Sequence, residues 1–283
     1  MSALLNGDNA PGQWVAEVAM ECAIRKAQQT GIGIVSAKQS NHFGAAGHYV
    51  WKAACEGMIG LCTTNGPVIL APTGGRTPTL GNNPLGVGIP AKKYLPVLLD
   101  VAMSVAPRGK IALQVREGKS LENDWILDHL GRPSTKLEDL AAGLGVPIGG
   151  HKGYGLAFVM EILSGVLSGA GFGLDHRKQD GKTTPHDFGQ FFLAFDPELF
   201  MPAEQFRSRV DEMIEQVKSA KKMDGIDEIL VPGELEMIAR QRSLQEGVRL
   251  RASTYDTLVK YADEMGLDTR IQIIEADGTN SSE

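Results

Sequence analysis

The chain has 283 residues, 42% of them hydrophobic and 22% charged, and a formal net charge of −6. That composition suits a soluble globular protein of one or two domains with a substantial core. The acidic balance, with no basic patch, excludes nucleic acid as the expected partner, and no apolar run is long enough to span a membrane.

Met1 to Gly12 opens with a short apolar run, Ala3-Leu4-Leu5, followed by turn chemistry from Asn6 onward. The spacing then predicts a helix over Gln13 to Gln29. Val15, Val18, Ala19, Cys22 and Ala23 recur on one face, and Gly31 closes it. Ile32 to Val35 reads as a buried strand and Val50 to Gly57 as a helix ending at glycine. Between them lies Ser40-Asn41-His42-Phe43-Gly44-Ala45-Ala46-Gly47-His48-Tyr49. A histidine at such a corner, flanked by small residues, can face a cleft while the backbone approaches a ligand; on spacing alone it reads equally as a capping or core histidine.

Met58 to Thr64 reads as a strand, and Val68 to Ala71, Leu85 to Ile89 and Leu95 to Ala102 are further apolar runs, the last interrupted only by Asp100. Ile111 to Val115 and Trp125 to Leu127 read as short strands. Gly149-Gly150-His151-Lys152-Gly153-Tyr154-Gly155 opens the segment Leu156 to Leu167, expected as a buried helix with Glu161 its one charge. Gly171 to Pro185 reads as a mobile loop and Phe191 to Phe195 as a strand. Pro202 starts an amphipathic helix lined by Phe206, Val210, Met213, Ile214 and Val217. Pro232-Gly233-Glu234 leads into another helix, and a last one is expected to be capped by Ser253 and Thr254 and closed by Gly266. Residues 277–283 read as a polar, disordered tail.

The standard nucleotide and metal patterns are missing. Gly149 to Gly155 places its lysine too early for a phosphate-cradling Walker loop, and no Rossmann Gly-x-Gly-x-x-Gly sits between a strand and a helix. No Cys-x-x-Cys or zinc-ligand histidine spacing occurs, so no metal is expected. The odd count of 3 cysteines, without paired spacing or a basic-then-apolar leader, points to reduced thiols in the cytoplasm. Lys152 at a helix start reads as an anion site for a cofactor phosphate or as a solvated lysine. A buried carboxylate is costly, so Asp100 either faces a ligand at its strand end or caps the turn that follows. Glu234 alone reads as an ordinary first-turn glutamate.

In order along the chain, Ser40-Asn41-His42-Phe43-Gly44-x-x-Gly47-x-Tyr49, Leu80-Gly81-x-Asn83-Pro84, Gly149-Gly150-x-Lys152-Gly153-Tyr154-Gly155-Leu156 and Pro232-Gly233-Glu234 resemble the malate/L-lactate dehydrogenase family. This family is unrelated to the Rossmann lactate dehydrogenases and includes ureidoglycolate and sulfolactate dehydrogenases and 2,3-diketogulonate reductase. The resemblance implies an α/β fold with a mixed, largely antiparallel sheet flanked by helices, a non-Rossmann NAD(P)-binding fold. It implies reversible hydride transfer between NAD or NADP and a small 2-hydroxy or 2-keto acid, in a cytoplasmic homodimer. His42 matches the family's active-site histidine, a residue suited to proton transfer because its unperturbed pKa is ~6.5. Asn65, Asp100, Ala102, His151, Lys152, Gly233 and Glu234 match cofactor-binding positions. A carboxylate at Asp100 repels a 2′-phosphate and leans the choice toward NAD. Residues 1–60 are expected to pack with the C-terminal helices of 235–283, and 61–234 to form the NAD(P)-binding domain. The resemblance also implies a helical segment ahead of this chain's first residue, bearing substrate-binding groups. Arg76 and Arg108 are candidates for the substrate carboxylate by charge alone, and the alternative reading is a truncated, catalytically impaired nucleotide-binding member.

Overall fold

The computed structural model describes residues 1–106, 108–116, 119–121, 125–136, 138–139, 144–178, 184–248 and 250–267. Strands β1 (Ser2–Asn6), β2 (Ile32–Ser40), β3 (Ile59–Thr64), β4 (Leu85–Ile89), β5 (Val97–Val101) and β9 (Phe188–Phe195) form one sheet in the order β1-β2-β9-β3-β4-β5. Only β1 and β2 run parallel, with Leu4 opposite Ser36; the other pairings of this sheet are antiparallel. The fold is therefore the mixed, largely antiparallel α/β arrangement expected. Three short strands, β6 (Ile126–Leu127), β7 (Pro133–Ser134) and β8 (Leu144–Gly145), make a second sheet in the order β7-β6-β8.

β9 sits centrally because it is apolar on both faces, as a covered strand must be. Phe192 is fully buried and pairs with Val35 on one side and Cys62 on the other. The sheet thus joins strands from both sides of residue 60. Gly33, Ala194, Gly60 and Gly88 are in register across β2, β9, β3 and β4 and so share a face. Helices α1 (Gly12–Thr30) and α2 (Ala46–Cys55) lie on this row. A Cβ at Gly60 would stand 2.6 Å from the Ala53 Cβ, and one at Gly33 or Gly88 would strike the carbonyl of Ala23 or Val50. Small residues here let helix backbone approach the sheet. Gly189 alternates to the opposite face, where it meets the carbonyl of Ser164. That carbonyl belongs to a π-helical stretch, Ile162–Val166, continuing α4 (His151–Glu161).

Several expected elements differ. Val68 to Ala71 makes only isolated bridges, Leu70 to Leu80 and to Gly145, in a run bounded by Pro67 and Pro72. Ile111 to Val115 lies in a helix, α3 (Arg108–Arg116), instead of a strand. The pattern explains why: Ile111 packs in a core with Trp125 and Ile126, Val115 packs against it, and Leu113 between them is 40% exposed. A strand would put all three on one face, whereas helical i, i+4 spacing does not. Leu156 to Leu167 is helical, but its orientation is inverted. Ala157, Met160, Glu161, Ser164 and Gly165 face inward while Leu156, Val159, Ile162 and Val166 are exposed. Within Gly171 to Pro185, Gly173–Lys178 forms a 3-10 helix; residues 179–183 lie outside the described residues.

α5 (Ala203–Lys218) follows Pro202 as expected, and its buried Asp211 accepts the backbone N–H groups of Lys92 and Lys93, both at 3.0 Å. The chain divides into compact units at 233/234. The second unit holds α6 (Glu234–Glu246) and α7 (Ala252–Glu264). Arg251, not Ser253 or Thr254, occupies the N-cap of α7, and no side chain caps it. The expected polar tail, 277–283, lies outside the described residues. Among the described residues no helix is long and apolar enough to cross a membrane.

Candidate active site

The corner between β2 and α2 is held from several sides. A bulge between Ala37 and Ser40, with Gln39 at φ 51°, ends the regular pairing of β2 with β9. Gln190, buried in β9, donates from Nε2 to Ser40 Oγ at 2.7 Å. Asn41 donates from Nδ2 to Asn9 O, Asn9 Oδ1 and Ala10 O at 2.9, 3.0 and 3.0 Å, clamping the turn before α1. Phe43 is buried, Gly44 takes φ 84° and the Tyr49 hydroxyl donates to the Phe43 carbonyl. The neighbours of His42 are thus spent on fixing the loop, and His42 itself is exposed. Its Nδ1 accepts the Gly44 N–H at 3.2 Å, which turns Nε2 away from the backbone.

Asp100 meets this corner from β5, and Gly233 packs against the same strand at Leu98. Asp100 is exposed, and its Oδ2 accepts the Gly47 N–H in the first turn of α2 at 2.7 Å. It caps a helix on another element, an outcome between the two sequence readings, while the residue stays exposed. Pro232 O accepts the Leu98 N–H at 3.0 Å, and a Cβ on Gly233 (φ 96°) would lie 2.8 Å from the Leu98 Cβ. Ala102 is half-buried just past β5. The ladder then continues: Val105 donates to Val146 O at 2.8 Å and Ile148 to Met103 O at 3.0 Å. This pairing delivers Gly149 and Gly150, both at positive φ, to the start of α4. His151 and Lys152 are exposed there, no side chain caps the helix, and open space surrounds both glycines.

Asn65 stands apart from these exposed groups. It is buried, donating from Nδ2 to Glu161 Oε1 at 3.1 Å and Gly171 O at 2.8 Å and accepting Gly189 N–H at 2.8 Å. Glu161 also accepts from Asn83 Nδ2 at 2.6 Å and Gly173 N–H at 2.9 Å. Glu234 opens α6 in the second unit. Arg76 is exposed in the turn after Pro72, and the Arg108 side chain lies outside the described residues.

Sequence reasoning missed the jobs of Asn41, Tyr49 and Gln190. Gln190 carried a readable signal, since it is the one polar side chain in the run Phe188 to Phe195. Also missed was a cavity of about 510 Å³ beside the loop, lined by Trp14, Glu17, Phe43, Gly44, His48 and Tyr49. Burial works to raise the Glu17 carboxyl, but the hydrogen bonds and charges of Lys52 and His48 outweigh it and hold it below the ordinary range. Among the described residues, no three His, Cys, Asp or Glu side chains gather so as to hold a metal ion.

An exposed histidine at the β2–α2 corner, an exposed carboxylate bonded to the first turn of the same α2, and a glycine-rich, uncapped start of α4, on a sheet without a Rossmann turn, fit a non-Rossmann dehydrogenase. A malate dehydrogenase structure from Entamoeba histolytica superposes with a TM-score of 0.90 at 32% identity, covering 96% of this chain and 79% of that one. Residues 1–259 match the family described as malate/L-lactate dehydrogenase, and the chain belongs to that family. It is 38% identical to malate dehydrogenase of Pyrococcus horikoshii, over 94% of this chain and 75% of the relative. It is 39% identical to L-sulfolactate dehydrogenase of Methanothermobacter thermautotrophicus, over 96% and 77%.

Proposed function

We propose that the protein is an oxidoreductase that moves a hydride between NAD or NADP and the carbinol carbon of a small 2-hydroxy acid, interconverting it with the 2-keto acid. One observation carries the reading. In the corner at residues 40–44, Ser40, Asn41, Phe43 and Gly44 serve to hold the backbone, while His42 is left exposed at its apex. Family membership supports the same chemistry.

The residues present fit a nicotinamide dinucleotide. Asp100 Oδ1 suits a ribose hydroxyl, Lys152 and the uncapped amides of α4 suit a phosphate, and His151 and Ala102 flank them. Gly149 and Gly150 leave backbone open to close approach, Gly233 packs against Leu98 of β5 with Glu234 next in the chain, and Asn65 supports the wall from behind. When bound, the cofactor supplies or accepts the hydride. His42 serves the substrate oxygen: Nε2 gives a proton in reduction and takes one in oxidation. The exposed carboxylate at Asp100 favours NAD, although relatives are named for NAD(+) and for NADP(+). A cytoplasmic homodimer completes the reading; Cys22 and Cys62, neither of them in a disulfide, support the location, and the exposed apolar side of α4 supports the pairing.

The test is oxidation of NADH and NADPH with a panel of 2-keto acids, oxaloacetate and pyruvate included. Turnover of at least one acid is expected. Tight cofactor binding with no turnover across the panel would overturn the activity.

A further inference from the structure

We infer that Tyr49 is a positioning residue that sets the orientation and tautomer of His42 through a single peptide group. The inference rests on the proton-transfer role proposed for His42. The Phe43 carbonyl, which accepts the Tyr49 hydroxyl, and the Gly44 N–H, which donates to His42 Nδ1 at 3.2 Å, are the two ends of one planar amide. Fixing the carbonyl therefore fixes the direction of the N–H. A chain of two hydrogen bonds joined by one peptide group results: Tyr49 hydroxyl to Phe43 carbonyl, then Gly44 N–H to His42 Nδ1. Each bond in such a chain polarises the next.

The phenol is held for this task. Tyr49 is 2% exposed. Its ring lies 5.3 Å from Phe43, 5.2 Å edge-on from His48 and 6.0 Å edge-on from Phe192 in the central strand. The site in the backbone is equally constrained, because Phe43 is 1% exposed and Gly44 takes a conformation that favours glycine.

The chemical consequence concerns which nitrogen carries hydrogen. A nitrogen that accepts the Gly44 N–H cannot itself bear a proton, so the neutral ring carries its hydrogen on Nε2, the outward nitrogen. Nε2–H is then a ready donor to the oxygen of a keto acid. The Gly44 bond is made only by this neutral form. Full proton transfer needs the doubly protonated ring: a proton gained at Nδ1 opens the Gly44 bond, and the Nε2 proton then passes to the keto oxygen and leaves the ring hydrogen on Nδ1. Exchange of that hydrogen for one on Nε2 closes the bond and restores the resting state; oxidation runs the same steps in reverse.

The test uses the full chain labelled with 15N-histidine, with His42 assigned by its loss in His42→Gln. In the native chain the neutral His42 should show a protonated Nε2 and an unprotonated Nδ1. Tyr49→Phe keeps the ring and removes the hydroxyl. It should give mixed tautomers, and kcat should fall about fivefold to tenfold with cofactor Kd within twofold. A native His42 with hydrogen on Nδ1 overturns the inference even if Tyr49→Phe does not fold. So does a folded Tyr49→Phe with an unchanged tautomer and kcat. Failure of the activity reading is separate: it appears as a missing turnover or as full activity in His42→Gln, whereas the tautomer readout needs no turnover.

Discussion

His42 and Lys152 should fail in opposite ways when replaced. His42→Ala removes the group that handles the substrate proton, so kcat should drop about a hundredfold or more while cofactor affinity stays near native. Lys152→Ala should weaken cofactor binding about tenfold and change kcat little, since a charged hydrogen bond to phosphate serves binding. Stopped-flow kinetics and cofactor titration separate the two, and equal effects would count against both roles. Asp100 has a double use, as cap of α2 and as exposed carboxylate. Asp100→Asn keeps an acceptor for the Gly47 N–H, so Tm should hold within about 2 °C while the preference for NAD over NADP falls. Asp100→Ala removes the cap as well and should lower Tm by about 2–4 °C. A carboxylate in an apolar strand was legible in the sequence as an anomaly. Its partner Gly47 was not, because 53 residues separate them and local pattern carries no information about such a contact.

Elements whose apolar residues keep one period were legible: α1, α5 and the strands β3, β4 and β5 lie close to where periodicity puts them. Short runs such as Ile111 to Val115 were not, since five residues fit either period. α4 shows a different limit. Its composition announced burial, yet the side turned inward is the one with Glu161, because Asn65, Asn83 and the Gly173 amide converge on that carboxyl group. Glu161→Leu should therefore destabilise the fold despite being more apolar, by about 3 kcal/mol in urea unfolding, since it strands buried donors. Glu161→Gln, which keeps an acceptor oxygen, should cost less. The turn between β6 and β7 offers a pH test. Asp128 accepts the backbone N–H of Arg132 at 2.9 Å, and of Leu130 at 2.8 Å, and pairs with the Arg132 guanidinium; these contacts hold its carboxyl at about 2. A depressed carboxyl contributes stability that is whole above its ordinary value of ~3.9 and is lost as pH falls through about 2. Carboxyl 13C titration should find this midpoint, and an ordinary one would refute the turn geometry.

At the scale of the molecule, the family motifs pointed to the fold, but strand order did not emerge from local pattern. β9 inserts between β2 and β3 from more than a hundred residues downstream, and only the row of small residues under α1 and α2 hints at how the layers stack. The outer side of α4 poses the remaining whole-molecule question. Leu156, Val159, Ile162 and Val166 lie exposed there, and the segment's one charge is turned inward. A contiguous apolar face of this kind marks an association site. Copies that each carry a net charge of −6 repel over most of their surface and can approach closely where charge is absent. The homodimer proposed above would seat a second copy on this face, and a two-fold contact there would bring equivalent α4 helices together. Val159→Lys should then convert a dimer to a monomer in sedimentation velocity, because two like charges would meet in a desolvated contact. The helix start at His151 and Lys152 lies on the same element, so the monomer should also bind cofactor less tightly. A native chain that sediments as a monomer, or a Val159→Lys chain that sediments as the native chain does, would leave the exposed apolar side of α4 without this role.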